Sequence, residues 1–129
     1  MLLHRKKPIK VGSIILNEDN DHMVIIRGNY SNKWNVPKGT SEHGESIRQT
    51  AVRELLEETG YKFEISKYDV PVRIDRVYLY ILHVPLDTVF KPIDTVEIGD
   101  IKWIHVNDIE HIENKAKLLT KVLNYTMNL

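Results

Sequence analysis

The sequence predicts an α/β fold in a single domain, and three observations carry that expectation. Short runs rich in β-branched and aromatic residues are set off by turn-forming residues. Between two groups of these runs lies an amphipathic helical segment that ends in a glycine. The chain has 129 residues, enough for one hydrophobic core.

Along the chain, residues 11–16 and 23–27 are apolar runs separated by Asn17-Glu18-Asp19-Asn20-Asp21, which predicts two strands joined by a hairpin-like turn. Residues 28–33 form a polar loop. Residues 34–39 (WNVPKG) are a short extended piece, since Pro37 disfavours a helix there. A helix begins at about Ser46 and stops at Gly60, with Val52, Leu55, Leu56 and Thr59 on its core-facing side. Residues 61–68 and 73–84 are predicted strands. From Val77 to Val84 nearly every position is apolar, as in a strand covered on both faces. Residues 85–95, rich in Pro, Asp and Lys, form a loop, and residues 97–106 a further strand. Asn107-Asp108 then reads as a helix cap. The last helix, about residues 113–127, buries Leu118, Leu119, Val122 and Leu123 and presents Lys115, Lys117 and Lys121 outward. No repeat or linker divides the chain, so residues 1–129 read as one domain whose residues 1–8 are a flexible basic tail.

Composition narrows the chemistry. A formal net charge of zero gives no global field toward nucleic acid or membrane, so any polyanion site is local. There are no cysteines, which excludes disulfides, a Cys-based zinc site and a thiol nucleophile. The six histidines include no HExxH and no close pair, which argues against zinc. No apolar run is long enough to span a membrane, and the start, MLLHRKKPIK, lacks an apolar signal core. The expectation is an intracellular, cytoplasmic protein, with the nucleus left open and no oligomeric state implied.

The helix carries the chemistry. Glu54, Glu57 and Glu58 fall at i, i+3 and i+4, within about 100° of its circumference. Like charges so placed repel by a few tenths of a kcal/mol per pair. Such a cluster calls for a cation, and a helix with a packed face holds ligands more firmly than a loop does. Hard oxygen donors without Cys or paired His favour Mg²⁺ or Mn²⁺.

Residues 39–61, GTSEHGESIRQTAVRELLEETGY, resemble the Nudix box, Gly-x5-Glu-x7-Arg-Glu-U-x-Glu-Glu-x-Gly-U with U a bulky aliphatic residue. Gly39, Glu45, Arg53, Glu54, Leu55, Glu57, Glu58 and Gly60 all match, and Tyr61 departs from the aliphatic preference at the last position. The resemblance covers nearly the whole chain. It implies an α/β/α sandwich, a mixed sheet between helices, and metal-dependent hydrolysis of a nucleoside diphosphate linked to X. Carried onto this chain, the metal ligands are Glu54, Glu57, Glu58 and the Gly39 carbonyl, and the catalytic set is Glu57, Glu58, Glu97 and Arg53. Glu45 and Arg53 brace each other and the loop. Nudix enzymes often take the base that activates water from outside the box. Glu97, in VEIGDIKWI, is the candidate here, with Asp94 and Asp100 as substitutes.

Two further stretches resemble the catalytic domain of mRNA-decapping Nudix enzymes: KWNVPKG leading into the box, and LYILHVPLDTVFKPIDTVEIGDIKW. That resemblance implies Lys38 beside the cap phosphates, Glu97 as general base, and a capped or polyphosphorylated RNA 5′ end as substrate. It also implies a helical regulatory domain before the catalytic one, whereas this sequence starts almost directly at its first strand. Lys115, Lys117 and Lys121 read either as a solvated face or as an RNA track, and His4-Arg5-Lys6-Lys7 either as phosphate contacts or as a loose tail. Tyr30, Trp34, Tyr78 and Tyr80 are candidates to stack a base, or core and sheet aromatics. Diadenosine polyphosphates and diphosphoinositol polyphosphates are the alternative substrates. The reading from another class is a non-catalytic Nudix binding module; such modules lose box glutamates, and this sequence retains them.

Overall fold

The computed structural model describes residues 7–129. Two strands, β1 (Lys10–Leu16) and β2 (His22–Gly28), leave the turn at residues 17–21 in diverging directions, pairing with each other only at Leu16 and Met23. The turn is closed by Asn17, whose Oδ1 accepts from the backbone N–H of Asp21 and His22 at 3.1 and 2.9 Å. β1 then pairs in parallel with β6 (Val77–His83) over seven residues and antiparallel with the short β4 (Lys38–Thr40). β2 pairs antiparallel with β7 (Ile98–His105) and with β3 (Trp34–Asn35), and β5 (Val72–Ile74) completes the β6 side. The sheet is therefore mixed.

Alternation along β1 sends Val11 and Ile15 to one face and Ile14 and Leu16 to the other, and β6 does the same with Tyr80 and Leu79. The first face carries α1 (Ile47–Thr59) through Ala51 and Leu55. The second carries α2 (Lys117–Thr126) through Leu118, Leu119 and Val122, together with a 3₁₀ turn, Val106–His111, through Val106 and Ile109. These layers make an α/β/α sandwich. No helix among the described residues is long and apolar enough to cross a membrane.

Several elements differ from the sequence expectation. Residues 61–68 join no strand. Phe63 and Ile65 alternate inward as a strand would, but they do so as a cover. Phe63 packs at a tilt on Tyr61 and stacks on Phe90, at centroid distances of 4.6 and 6.5 Å, and Phe90 continues to Trp103 at 5.8 Å. The expected strand over residues 73–84 is a hairpin, β5–β6, turned by Asp75 and Arg76, both with positive φ (51° and 68°). Two consecutive left-handed residues define the tight turn whose twist suits a hairpin. The usual glycine cue is missing here, which hid the turn.

The last helix starts at Lys117 rather than near residue 113, because the chain before it pairs with β3. The N–H of Trp34 donates to the Asn114 carbonyl (2.7 Å), and that of Ala116 to the Trp34 carbonyl (2.9 Å). Lys115 consequently lies off the helix, its Nζ donating to the Glu110 and Ile112 carbonyls, and Lys121 pairs with Asp75 at 3.0 Å. The expected cap at Asn107-Asp108 is supplied instead by His105, whose ring nitrogen accepts from the Asn107 N–H. Of the expected basic segment, residues 4–6 lie outside the described residues, as does most of the expected tail over residues 1–8.

Candidate active site

The α1 helix begins with a capping box: Ser46 Oγ accepts from the Gln49 N–H (3.1 Å), and Gln49 Oε1 from the Ser46 N–H (2.9 Å). It ends at Gly60, φ 72°, where a Cβ would run into the Lys91 carbonyl. Between these fixed ends the buried stripe is Ala51, Leu55 and Glu58, at i, i+4 and i+7. Leu56, expected in the core, is 36% exposed, whereas Glu58 is 2% exposed. One of the three acids therefore faces inward, on the stripe begun by Ala51 and Leu55.

Around Glu58 the structure assembles the residues singled out by the sequence. Its Oε1 accepts the Lys38 N–H at 2.8 Å. The Glu54 carboxylate lies against the backbone of Gly39, in the space a Cβ would fill. Only glycine allows that approach. Arg53 ties the group together. Its Nε and Nη2 fork onto Glu45 at 2.7 and 2.9 Å, and Nη2 also donates to the Thr40 carbonyl at 3.0 Å. Its Nη1 lies 2.9 Å from Glu54 and 3.3 Å from Glu57. Thr50 Oγ1 and the Glu42 N–H also donate to Glu45, two partners outside the matched spacing.

Glu97 sits at the surface of the loop entering β7. Asp94 and Asp100, the substitutes for it, are engaged locally: Asp94 Oδ1 accepts the Glu97 N–H, and Asp100 Oδ1 the Ile101 N–H. Of the four aromatic candidates, Tyr80 is buried, Tyr78 lies under Arg73, and Trp34 packs on the core with Lys102 Nζ 4.4 Å above its ring. Tyr30 is 81% exposed. Two shallow clefts of about 390 and 310 Å³ flank β7, and neither is lined by a glutamate.

The electrostatics follow from burial. Desolvation, reinforced by Glu54, pushes the Glu58 carboxyl up to about 9. Glu54 is raised by burial, against the pull of Arg53 and with the repulsion of Glu57. Glu97 is raised by partial desolvation and by Asp94 beside it. Lys38 is lowered by burial and by Lys10, while Glu58, Glu97 and Glu54 act in the opposite sense. Glu45, gripped by the Arg53 fork, is held down at about 2. A cluster of acids that cannot all ionise at neutral pH fits a divalent cation. Among the described residues, no three His, Cys, Asp or Glu side chains converge as a ready-made cage. Mg²⁺ does not require one, since it keeps several waters and uses one or two carboxylates with substrate phosphates. Glu54, Glu57, Glu58 and the Gly39 carbonyl are the oxygens that could hold it.

These shifts predict opposite limbs of a stability profile. Glu45 stabilises the fold above about pH 4.5, its ordinary value, and that contribution is lost as pH falls toward about 2. Glu58 contributes fully below about pH 4.5, and its contribution is lost as pH rises through about 9. In urea unfolding of metal-free protein, Glu58→Gln should therefore become progressively more stable than wild type as pH rises across that window. Parallel profiles would contradict the buried, protonated Glu58.

Comparison with known proteins identifies the class. The family described as NUDIX domain matches residues 6–123, and the chain belongs to this family of hydrolases, which act on phosphorus-containing anhydrides and generally use divalent metals. It is 34% identical over 113 residues to an mRNA-decapping enzyme subunit 2 of Arabidopsis thaliana, covering 81% of this chain and 30% of that protein. It is 32% identical over 106 residues to the m7GpppN-mRNA hydrolase dcap-2 of Caenorhabditis elegans, covering 76% of this chain and 14% of that one. The chain thus spans less than a third of the length of these curated relatives. Its fold is similar to a solved MutT structure from work on Aliivibrio salmonicida and Vibrio cholerae, with a TM-score of 0.69, 21% identity, and coverage of 97% of this chain and 99% of that one.

Proposed function

We propose that this chain is a Mg²⁺- or Mn²⁺-dependent pyrophosphohydrolase that cleaves the diphosphate linkage of a nucleoside diphosphate joined to X, acting in the cytoplasm on a capped or polyphosphorylated RNA 5′ end. The observation that carries the chemistry is the Glu54 carboxylate set against the Gly39 backbone, with Glu58 buried beside it. Together with Glu57, these groups present only oxygen to a cation. When bound, the cation neutralises phosphate charge and makes water a better nucleophile. The remaining work belongs to the chain. Lys38 places a point charge by the phosphates. Arg53, locked to Glu45 and to the Thr40 carbonyl, keeps Glu54 and Glu57 in position. Glu97, its carboxyl held above the ordinary range, takes the proton of the attacking water.

The RNA end is supported by the decapping relatives at 34% and 32% identity, and by Lys38 in KWNVPKG. Incubation of cap-labelled RNA with Mg²⁺ or Mn²⁺, beside diadenosine tetraphosphate, tests it. Release of methylguanosine diphosphate is expected. Cleavage of the dinucleotide alone would retire the RNA reading and leave a small-molecule hydrolase.

A further inference from the structure

The loop that carries Glu97, whose charge acts on Glu54, Glu58 and Lys38, is held from both ends, and one of its anchors lies far away in sequence. At the near end, the N–H groups of Ile93 and Asp94 both donate to the Glu57 carbonyl, and that of Lys91 to the Thr59 carbonyl, each at 2.9 Å. These carbonyls belong to the last turn of α1, where no helical donor is available. The loop thus completes the helix that carries the glutamates. Between its ends it folds into a tight turn, with the Glu97 N–H on Asp94 Oδ1 (3.0 Å) and the Ile98 N–H on the Asp94 carbonyl (3.1 Å).

At the far end, one residue takes three consecutive carbonyls. Asn29, just past β2, donates through its backbone N–H to the Glu97 carbonyl at 2.8 Å. Its Nδ2 donates to the Thr95 and Val96 carbonyls at 3.1 and 3.0 Å. Both amide protons are thereby used, and the amide orientation is fixed by two acceptors. The side of Asn29 away from these bonds abuts Gly99, where a Cβ would strike Asn29 Oδ1 and crowd the Arg27 guanidinium. Asn29 itself is braced from its own loop, since Arg27 Nη1 donates to Asn32 Oδ1 at 3.1 Å and the Asn32 N–H to the Gly28 carbonyl at 2.9 Å.

From this geometry we infer that Asn29 is a positioning residue for Glu97: its side-chain amide fixes the backbone from which the general base reaches the reacting water, and Gly99 keeps room for it. The inference rests on the assignment of Glu97 as that base. A base displaced by about an ångström loses on the order of a hundredfold in rate. Asn29→Ala should therefore lower kcat about 10- to 100-fold with KM little changed. Gly99→Ala, which pushes on the same amide from its other side, should have the same signature.

The test is steady-state kinetics with Mg²⁺, using whichever of cap-labelled RNA or diadenosine tetraphosphate wild type turns over faster, on Asn29→Ala, Gly99→Ala, Glu97→Gln and the Asn29→Ala/Glu97→Gln pair. The double variant should be no slower than Glu97→Gln alone, because Asn29 acts through Glu97. If Glu97→Gln is slow while Asn29→Ala and Gly99→Ala turn over normally, the positioning role is overturned and the base stands. Full additivity in the double variant would also overturn it. Normal turnover by Glu97→Gln, or no turnover of either substrate by wild type, removes the base and the positioning role together.

Discussion

Glu58→Gln is expected to lower turnover by about three orders of magnitude or more while leaving the fold intact. A cation held at the reacting phosphates is worth several kcal/mol of transition-state stabilisation, and each ~1.4 kcal/mol is a factor of ten. The fold survives for a reason visible in the structure. Glu58 is 2% exposed and its carboxyl is pushed up to about 9, so at neutral pH metal-free protein already holds it protonated. Glutamine is its neutral mimic, and its amide oxygen can still accept the Lys38 N–H. Turnover measured beside thermal unfolding separates the two effects. Near-normal turnover would remove Glu58 from the metal site, and a collapse in Tm would show that the buried carboxyl is needed for structure.

Gly39→Ala should be almost as damaging to activity, although the residue carries no functional side chain. The added Cβ would occupy the position of the Glu54 carboxylate, so either that side chain leaves the cluster or β4 moves away from α1. Overpacking of this kind costs roughly 1–3 kcal/mol of stability. The larger consequence is loss of the Glu54 ligand, which should slow turnover by at least about a hundredfold. Gly44→Ala is the control. A Cβ at Gly44 meets nothing within 4 Å, so only the backbone cost of its positive φ (82°) remains. Equal turnover by the two variants would mean that the Gly39 contact does not organise the site.

Much of this site could be read from residue spacing because its geometry is local. Glu54, Glu57 and Glu58 share one helix, Arg53 lies on the same turn, and Gly60 ends the helix where a left-handed residue is needed. Spacing could not reveal depth. Glu58 counts as polar in any pattern, yet it occupies the stripe begun by Ala51 and Leu55. The fold was legible where a strand has two apolar faces, as in β1 and β6, and misleading where alternation had another cause. Phe63 and Ile65 point inward to seal the α1 face under Phe90 rather than to pair in the sheet. Asp75-Arg76 makes a hairpin without glycine, and residues 114–116 leave the helical path because Trp34 offers them an unpaired backbone edge. Asn29 could not be found at all from sequence, since its three carbonyl partners lie 66 to 68 positions away on a loop that only the fold brings near.

Binding of a divalent cation by the α1 carboxylates can be tested without knowing the substrate. Mn²⁺ binding by calorimetry, at neutral pH on wild type, Glu57→Gln, Glu58→Gln and Gly39→Ala, measures it directly. Binding by wild type and affinity lowered at least about tenfold in each variant is the predicted result. Equal Mn²⁺ affinity in all four proteins would place the cation elsewhere, away from the α1 carboxylates.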